Sequence, residues 1–266
     1  MLGTRRADRN SAATAGIAMP DRITAEEIIR QSEQGVSVRP FLVRADDGCN
    51  YFVKGFERTG GPGLISEVVA AEIGAHLGLA IPPWRIMDIP QPLIDFSTIP
   101  NVTDLNGGPA FASQQVLTAS ELTWAGVKKI PVDLRRRVLI FDWLIQNGDR
   151  CLGEHGGNVN LLLDQEGALA VIDHNAAFEL QLSHDEFCQF HVFRDLIGSE
   201  RDDLLARLKY TPELDAALAD WGRIAALLPD EWLYRDRDHV DETEPTLAKR
   251  LEMLQRYRAE LFWGQL

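Results

Sequence analysis

The sequence holds little cysteine, is poor in basic charge relative to acid, and contains no long apolar run. Only Cys49, Cys151 and Cys188 occur among 266 residues. So odd and sparse a set excludes a disulfide framework and fits a reducing compartment. Lys and Arg total 27 against 40 Asp and Glu, a formal charge of −13. That balance lacks the footprint of a nucleic-acid binder, so direct nucleic-acid binding is not expected. No stretch of about 18 or more apolar residues occurs, so no membrane span is expected. Arg5 and Arg6 form a twin-arginine pair, but no apolar run long enough for a signal peptide follows. A cytoplasmic protein is the resulting expectation, with residues 1–18 as a flexible tail. Repeats and low-complexity tracts are also missing.

What is present suits a globular chain. The apolar fraction of 45% can fill a substantial core of one or two domains. Arg22 to Gln31 reads as a short helix capped by Thr24 and ended by Gly35. Val36–Ala45 and Asn50–Gly55 read as strands joined by the hairpin signal Asp46-Asp47-Gly48, with Lys54 near the end of the second. Glu57 to Leu64 reads as a glycine-rich loop opening an amphipathic helix, Leu64–Leu77, which stops at Gly78. A strand at Trp84–Ile89, a Pro-rich loop over 90–109 and a strand at Phe111–Leu117 follow. Beyond them Val132–Asn147 is an apolar helix, and Asn160–Leu163 and Ala168–Ile172 form a short hairpin. Helices are expected over Asp185–Phe193, Glu200–Leu208, Pro212–Leu227 and Pro245–Phe262. The order predicts an α+β, two-lobed molecule: a strand-rich N-lobe over 19–120 and a mainly helical C-lobe over 121–266.

The chemistry concentrates after the apolar helix. Asn147, Asp149 and Arg150 end it, and a Gly-rich loop leads to Asn158 and Asn160 at the start of a strand. The next strand delivers Asp173-His174-Asn175. Two carboxylates and an amide thus gather at one end of a hairpin, as phosphoryl transfer requires. One carboxylate takes the proton of an accepting hydroxyl; the other, with the amide, supplies hard oxygen ligands for magnesium. Lys54 is placed to hold nucleotide phosphates, and Glu67 on the following helix to fix its direction. Each residue alone also has an ordinary structural reading, as a salt bridge, turn cap or surface charge. The ordered set is what carries the functional one.

These residues resemble the HipA-like kinase family, a bacterial branch related to the phosphatidylinositol-kinase type of kinase fold. The matching stretches are Arg39-Pro-Phe-Leu-Val-Arg-Ala-Asp-Asp-Gly, Tyr51-Phe-Val-Lys-Gly, Leu64-Ile-Ser-Glu-Val-Val-Ala, Pro109-Ala-Phe-Ala-Ser, Asn147-Gly-Asp-Arg, Asn158-Val-Asn-Leu-Leu and Val171-Ile-Asp-His-Asn-Ala-Ala-Phe. The resemblance implies a bilobal protein-kinase-like fold, ATP with magnesium, and transfer to a hydroxyl, usually of protein Ser or Thr. It makes Lys54 the ATP lysine, Glu67 its helix partner, Asp149 the catalytic aspartate, Asn158 a metal ligand and Asp173 the chief magnesium ligand. Ser113, Gln114 and Gln115 fall at the adenine hinge. Nine positions separate Asp149 from Asn158, which leaves Asn160 as the alternative ligand. No Gly-x-Gly-x-x-Gly joins the first two strands, so Gly60, Gly61 and Gly63 are the candidates to cover phosphates.

Three rivals follow from the same residues. Cys151, His155, His184, Cys188 and His191 are potential zinc ligands, although no Cys-x-x-Cys is present. A small-molecule kinase would share the aspartate pair, and a pseudokinase scaffold would bind nucleotide without needing a base. Trp221, Trp232, Tyr234 and Trp263 serve either packing or a partner surface.

Overall fold

The computed structural model describes residues 22–33, 38–153, 156–198, 204–235, 238 and 240–266. The expected tail, Gly35, the start of the Val36 strand, His155 and the start of the Glu200 helix lie outside these residues.

Five strands close a barrel in the order β1-β2-β3-β5-β4. They are β1 (Arg22–Gln31), β2 (Phe41–Ala45), β3 (Asn50–Lys54), β4 (Trp84–Asp88) and β5 (Ala110–Gln114). All neighbours pair antiparallel except β1 with β4. The β2–β3 turn follows the Asp46-Asp47-Gly48 signal, with Gly48 at φ 79° and its N–H on the Ala45 carbonyl at 2.9 Å. Ile23, Phe41, Val43, Tyr51, Val53, Met87 and Ala112 fill the barrel.

The helix expected over 22–31 is instead β1. Its Glu-Glu-Ile-Ile-Arg-Gln run favours a helix locally. Pairing with both β2 and β4, and burial of alternate Ile23 and Ala25, override that preference. The loop expected over 57–64 is also helix: α1 (Phe56–His76) runs through it with one break, at Gly60 (φ 70°, ψ 161°). Its end follows the sequence. Gly78 at φ 69° closes a Schellman turn, its N–H on Ala75 O and that of Leu79 on Gly74 O.

The Pro-rich stretch holds a short helix, α2 (Gln91–Asp95), and a 3-10 turn at Val102–Leu105. A second, three-stranded sheet has the order β6-β7-β8, from Ser120–Glu121, Leu161–Leu163 and Leu169–Val171. Around it lie α3 (Val132–Leu144), α4 (His184–Phe190), α5 (Leu204–Ala219), α6 (Trp221–Ala226), α7 (Asp230–Leu233), α8 (Leu247–Leu254) and α9 (Glu260–Gly264). The break expected before Pro212 is absent, since α5 runs through it, and the single helix expected after Pro245 is two with a 3-10 turn between. One apolar cluster joins α1, α3, the small sheet and the C-terminal helices; the barrel interior is a second. Among the described residues no helix is long and apolar enough to cross a membrane.

Candidate active site

A cleft opens where the barrel wall meets the small sheet. Strand alternation decides which residues reach it. Along β3, Tyr51 and Val53 point into the barrel while Phe52 and Lys54 line the cleft. Along β5, Ala110 and Ala112 point inward while Phe111 and Ser113 line the cleft. The register pairs Phe52 with Ser113 and Lys54 with Phe111, so one face presents all four. Ala71, Ile81, Leu162 and Val171 complete an apolar slot, with Asn158, Asn160 and Asp173 at its polar end.

Lys54 is buried, and its ammonium donates to three acceptors: Glu67 Oε1 at 2.5 Å, Asp173 Oδ1 at 2.6 Å and Asn175 Oδ1 at 3.0 Å. Burial alone would lower its pKa, but Asp173 and Glu67 outweigh that and raise it. Glu67, on the second segment of α1, has its other oxygen on the His174 backbone N–H at 3.0 Å. Burial pushes its carboxyl up, yet Lys54 and His174 bring it down to about 2. The pair is therefore ionised and doubly anchored, as a buried ion pair must be.

The β7–β8 hairpin explains how distant residues meet. Asp164 Oδ1 accepts the N–H groups of Glu166 and Ala168 across the turn, at 2.9 and 2.8 Å. Leu161 then pairs with Val171, and Ile172 N–H reaches Asn160 O at 3.2 Å. Asn160, just before β7, is thus fixed beside the chain leading to Asp173. Both residues have positive φ, 48° and 59°, a conformation that costs energy for non-glycine residues and recurs at functional sites.

Asp149 follows α3 and is half-buried. Its Oδ2 accepts Asn158 Nδ2 at 2.6 Å and Asn160 Nδ2 at 3.3 Å. Both candidate amides therefore hold Asp149, and both line the cleft. Ser113 and Gln114 line the cleft too; Gln115 does not, its N–H being spent on Asn50 O at 2.9 Å. Gly60, Gly61 and Gly63 do not line it either. Within α1, Gly61 and Gly63 make room for close packing: a Cβ on Gly61 would stand 2.2 Å from Trp232 O, and one on Gly63 2.8 Å from Thr59 Cγ2. Gly60, at φ 70°, is the break between the two segments of the helix.

Sequence reading missed a buried set beneath Asp149. Arg150 and Asp142 are fully buried, with Arg150 Nε on Asp142 Oδ2 at 2.8 Å. His191 Nε2 meets the same oxygen at 3.0 Å, and its Nδ1 accepts the Phe193 N–H at 3.1 Å. Nε2 therefore carries the proton. Burial lowers the pKa of His191, which keeps the ring neutral; burial raises that of Asp142, but Arg150 and His191 outweigh it and lower it. Asp142 inside Leu-Ile-Phe-Asp-Trp-Leu was the available signal, a carboxylate in an apolar helix that must have a partner. Asn175 was missed likewise.

These partners also bear on the zinc rival. His184 Nε2 meets Gln265 O at 2.8 Å and Cys188 Sγ at 3.3 Å, and His191 belongs to Asp142. Among the described residues no group of three or more His, Cys, Asp or Glu stands together to hold a metal. Trp232 and Trp263 are buried, donating to Pro109 O at 2.9 Å and Tyr257 O at 2.7 Å, so both are packing residues.

Comparison with known proteins defines the class first. The crystal structure of the Helicobacter pylori proinflammatory kinase CtkA superposes with a TM-score of 0.54 at 14% identity, covering 92% of this chain and 96% of that one. At that identity the likeness establishes a shared kinase fold. The HipA-like kinase family matches residues 25–266, and the chain belongs to that family. No curated relative matches. The protein is accordingly a kinase of the HipA-like type.

Proposed function

We propose that the protein is an ATP- and magnesium-dependent kinase that transfers the γ-phosphate to a hydroxyl, with protein Ser or Thr as the acceptor. The observation that carries this reading is the Lys54 ammonium held between Glu67 and Asp173, at 2.5 and 2.6 Å, on the wall of an apolar cleft. A cation so oriented suits nucleotide phosphates, and the slot of Phe52, Ala71, Ile81, Phe111 and Leu162 suits a purine. Residues 19–120 and 121–266 are then the two lobes, meeting at this cleft.

The donor set fits magnesium. Asp173 gives Oδ1 to Lys54, which leaves Oδ2 for a cation. Asn158 and Asn160 spend their amide nitrogens on Asp149, which leaves their carbonyl oxygens. One carboxylate, one or two neutral oxygens and substrate phosphates are the ligands magnesium usually takes. When bound, the metal neutralises phosphate charge.

The protein's own part is positioning and one proton. Lys54 exchanges its neutral and longest contact, Asn175, for a phosphate oxygen. Asp149 has two amide donors on Oδ2, so Oδ1 takes the proton of the acceptor hydroxyl. As the oxygen of the acceptor hydroxyl bonds to the γ-phosphorus, the bond from phosphorus to the β–γ bridging oxygen breaks and ADP departs.

Asp149→Asn is expected to lower transfer by about 10²-fold or more, the usual worth of a positioned base, while leaving nucleotide binding intact. Asp173→Asn should lose both. Mass spectrometry after incubation with ATP and magnesium reads the product. Phosphoserine or phosphothreonine on the chain or an added protein supports the reading. ATP consumption with no modified protein would move the acceptor to small molecules, and an Asp149→Asn variant as active as wild type would remove the base assignment.

A further inference from the structure

The residue next to the base makes contacts that a local salt bridge does not explain. Arg150 is fully buried, and its guanidinium does not pair with Asp149. Nη1 donates to the Asn160 carbonyl and reaches Val159 O at 3.5 Å and Ile172 O at 3.3 Å. Those carbonyls lie within one residue of Asn158, Asn160 and Asp173. Arg150 itself adjoins Asp149, and its own carbonyl accepts the Val192 N–H at 3.1 Å. One side chain therefore touches the backbone at or beside Asn158, Asn160 and Asp173, and is itself next to Asp149 in the chain. Nε is fixed in turn by Asp142, which also takes Asn147 Nδ2 at 3.1 Å and His191 Nε2 at 3.0 Å.

We propose that Arg150, oriented by Asp142 and His191, is a positioning residue that sets the spacing of Asp149, Asn158, Asn160 and Asp173 for joint use on one metal-bound nucleotide. The inference rests on the phosphotransfer reading above. Its physical basis is the planar fork of arginine: Nε and Nη1 hold the Asp142 carboxylate and several carbonyls at once. A lysine ammonium is a point charge on a flexible stem and cannot span both sides in one plane. The carbonyls would then be held less closely, and Asn160 and Asp173, both at positive φ, would be free to relax.

The test is Arg150→Lys, with the magnesium concentration that half-saturates the ATP-induced thermal shift as the first readout. Groups that orient metal ligands from behind typically contribute 10- to 100-fold in affinity or activity. Arg150→Lys is therefore expected to raise the magnesium requirement by about 10-fold or more, and to lower turnover of ATP similarly. A purely structural role predicts a lower Tm with the wild-type magnesium requirement, and that result would overturn the proposal. Should Arg150→Lys not fold, Asp142→Asn and His191→Gln carry the same expectation at smaller size, and unchanged magnesium curves in both would overturn it equally. Failure of the phosphotransfer reading looks different, since wild-type protein itself would then show no magnesium-dependent shift with ATP.

Discussion

At the residue scale, the site is a chain of charges that satisfy one another. Lys54 is saturated by Glu67, Asp173 and Asn175, so its direction is fixed by the protein's own groups. Removing one member leaves a buried charge short of a partner. Glu67→Gln should cost about 3 kcal/mol at neutral pH, read by chemical denaturation. The pH dependence follows from the same pair. The Glu67 pKa falls from an ordinary 4.5 to about 2, so the unfolded chain binds the extra proton between those values. Its contribution to stability is complete above about pH 4.5 and is lost as pH falls toward 2. Glu67→Gln should flatten that part of the stability–pH curve; an unchanged acid limb would contradict the ionised pair. Lys54 was legible as the polar end of an apolar strand, and Glu67 as a carboxylate on the apolar stretch of a helix. Asp149 and Asp173 were legible as the polar groups that follow an apolar helix and strand. Arg150 was read only as a local pair. Its partner Asp142 lies on the preceding helix, and only folding shows that the guanidinium turns toward it.

Elements were legible where local chemistry and tertiary packing agree. The β2–β3 hairpin, the end of α1 at Gly78, α3 and the β7–β8 hairpin fall where turn residues and apolar periods put them. β1 and the start of α1 did not, for opposite reasons. β1 has helix-favouring residues but finds two strand partners. The Gly60-Gly61-Pro62-Gly63 run reads as loop, yet Trp232 and Arg250 pin it as helix: Arg250 Nη2 donates to Pro62 O at 2.9 Å and Nη1 to Ser66 Oγ at 2.8 Å. Gly61 is therefore a space requirement. Gly61→Ala should destabilise by about 3 kcal/mol, because its Cβ meets the backbone of Trp232 at 2.2 Å. Gly222 on α6 has nothing within 4 Å of its added Cβ, so Gly222→Ala should stabilise by roughly 0.5 kcal/mol. Thermal denaturation of the two variants separates crowding from helix propensity. Equal shifts would contradict the packing account of the glycine run.

At the scale of the whole molecule, the larger apolar cluster supplies Phe111 and Val171 to the cleft, and the C-terminal helices are part of that same cluster. Trp232, fully buried, ties α7 to both α1 and the loop at Pro109. Its replacement by Ala should cost about 3–5 kcal/mol. The kinase class was readable from the order of motifs along the chain, whereas the closed barrel was not, because closure depends on the β1–β4 pairing of strands distant in sequence. The proposed use of the cleft comes down to one exchange, phosphate oxygens against Lys54 with a metal on Asp173. The most direct measurement is the thermal shift of wild type and Asp173→Asn with ATP, with magnesium, and with both. A ligand at 100 times its Kd adds about 2.7 kcal/mol, a shift of several degrees. Wild type should show that shift with ATP and magnesium together, much less with either alone, and Asp173→Asn should lose it. A wild-type protein that is folded and shows no magnesium-dependent shift with ATP at saturating concentration would contradict the account.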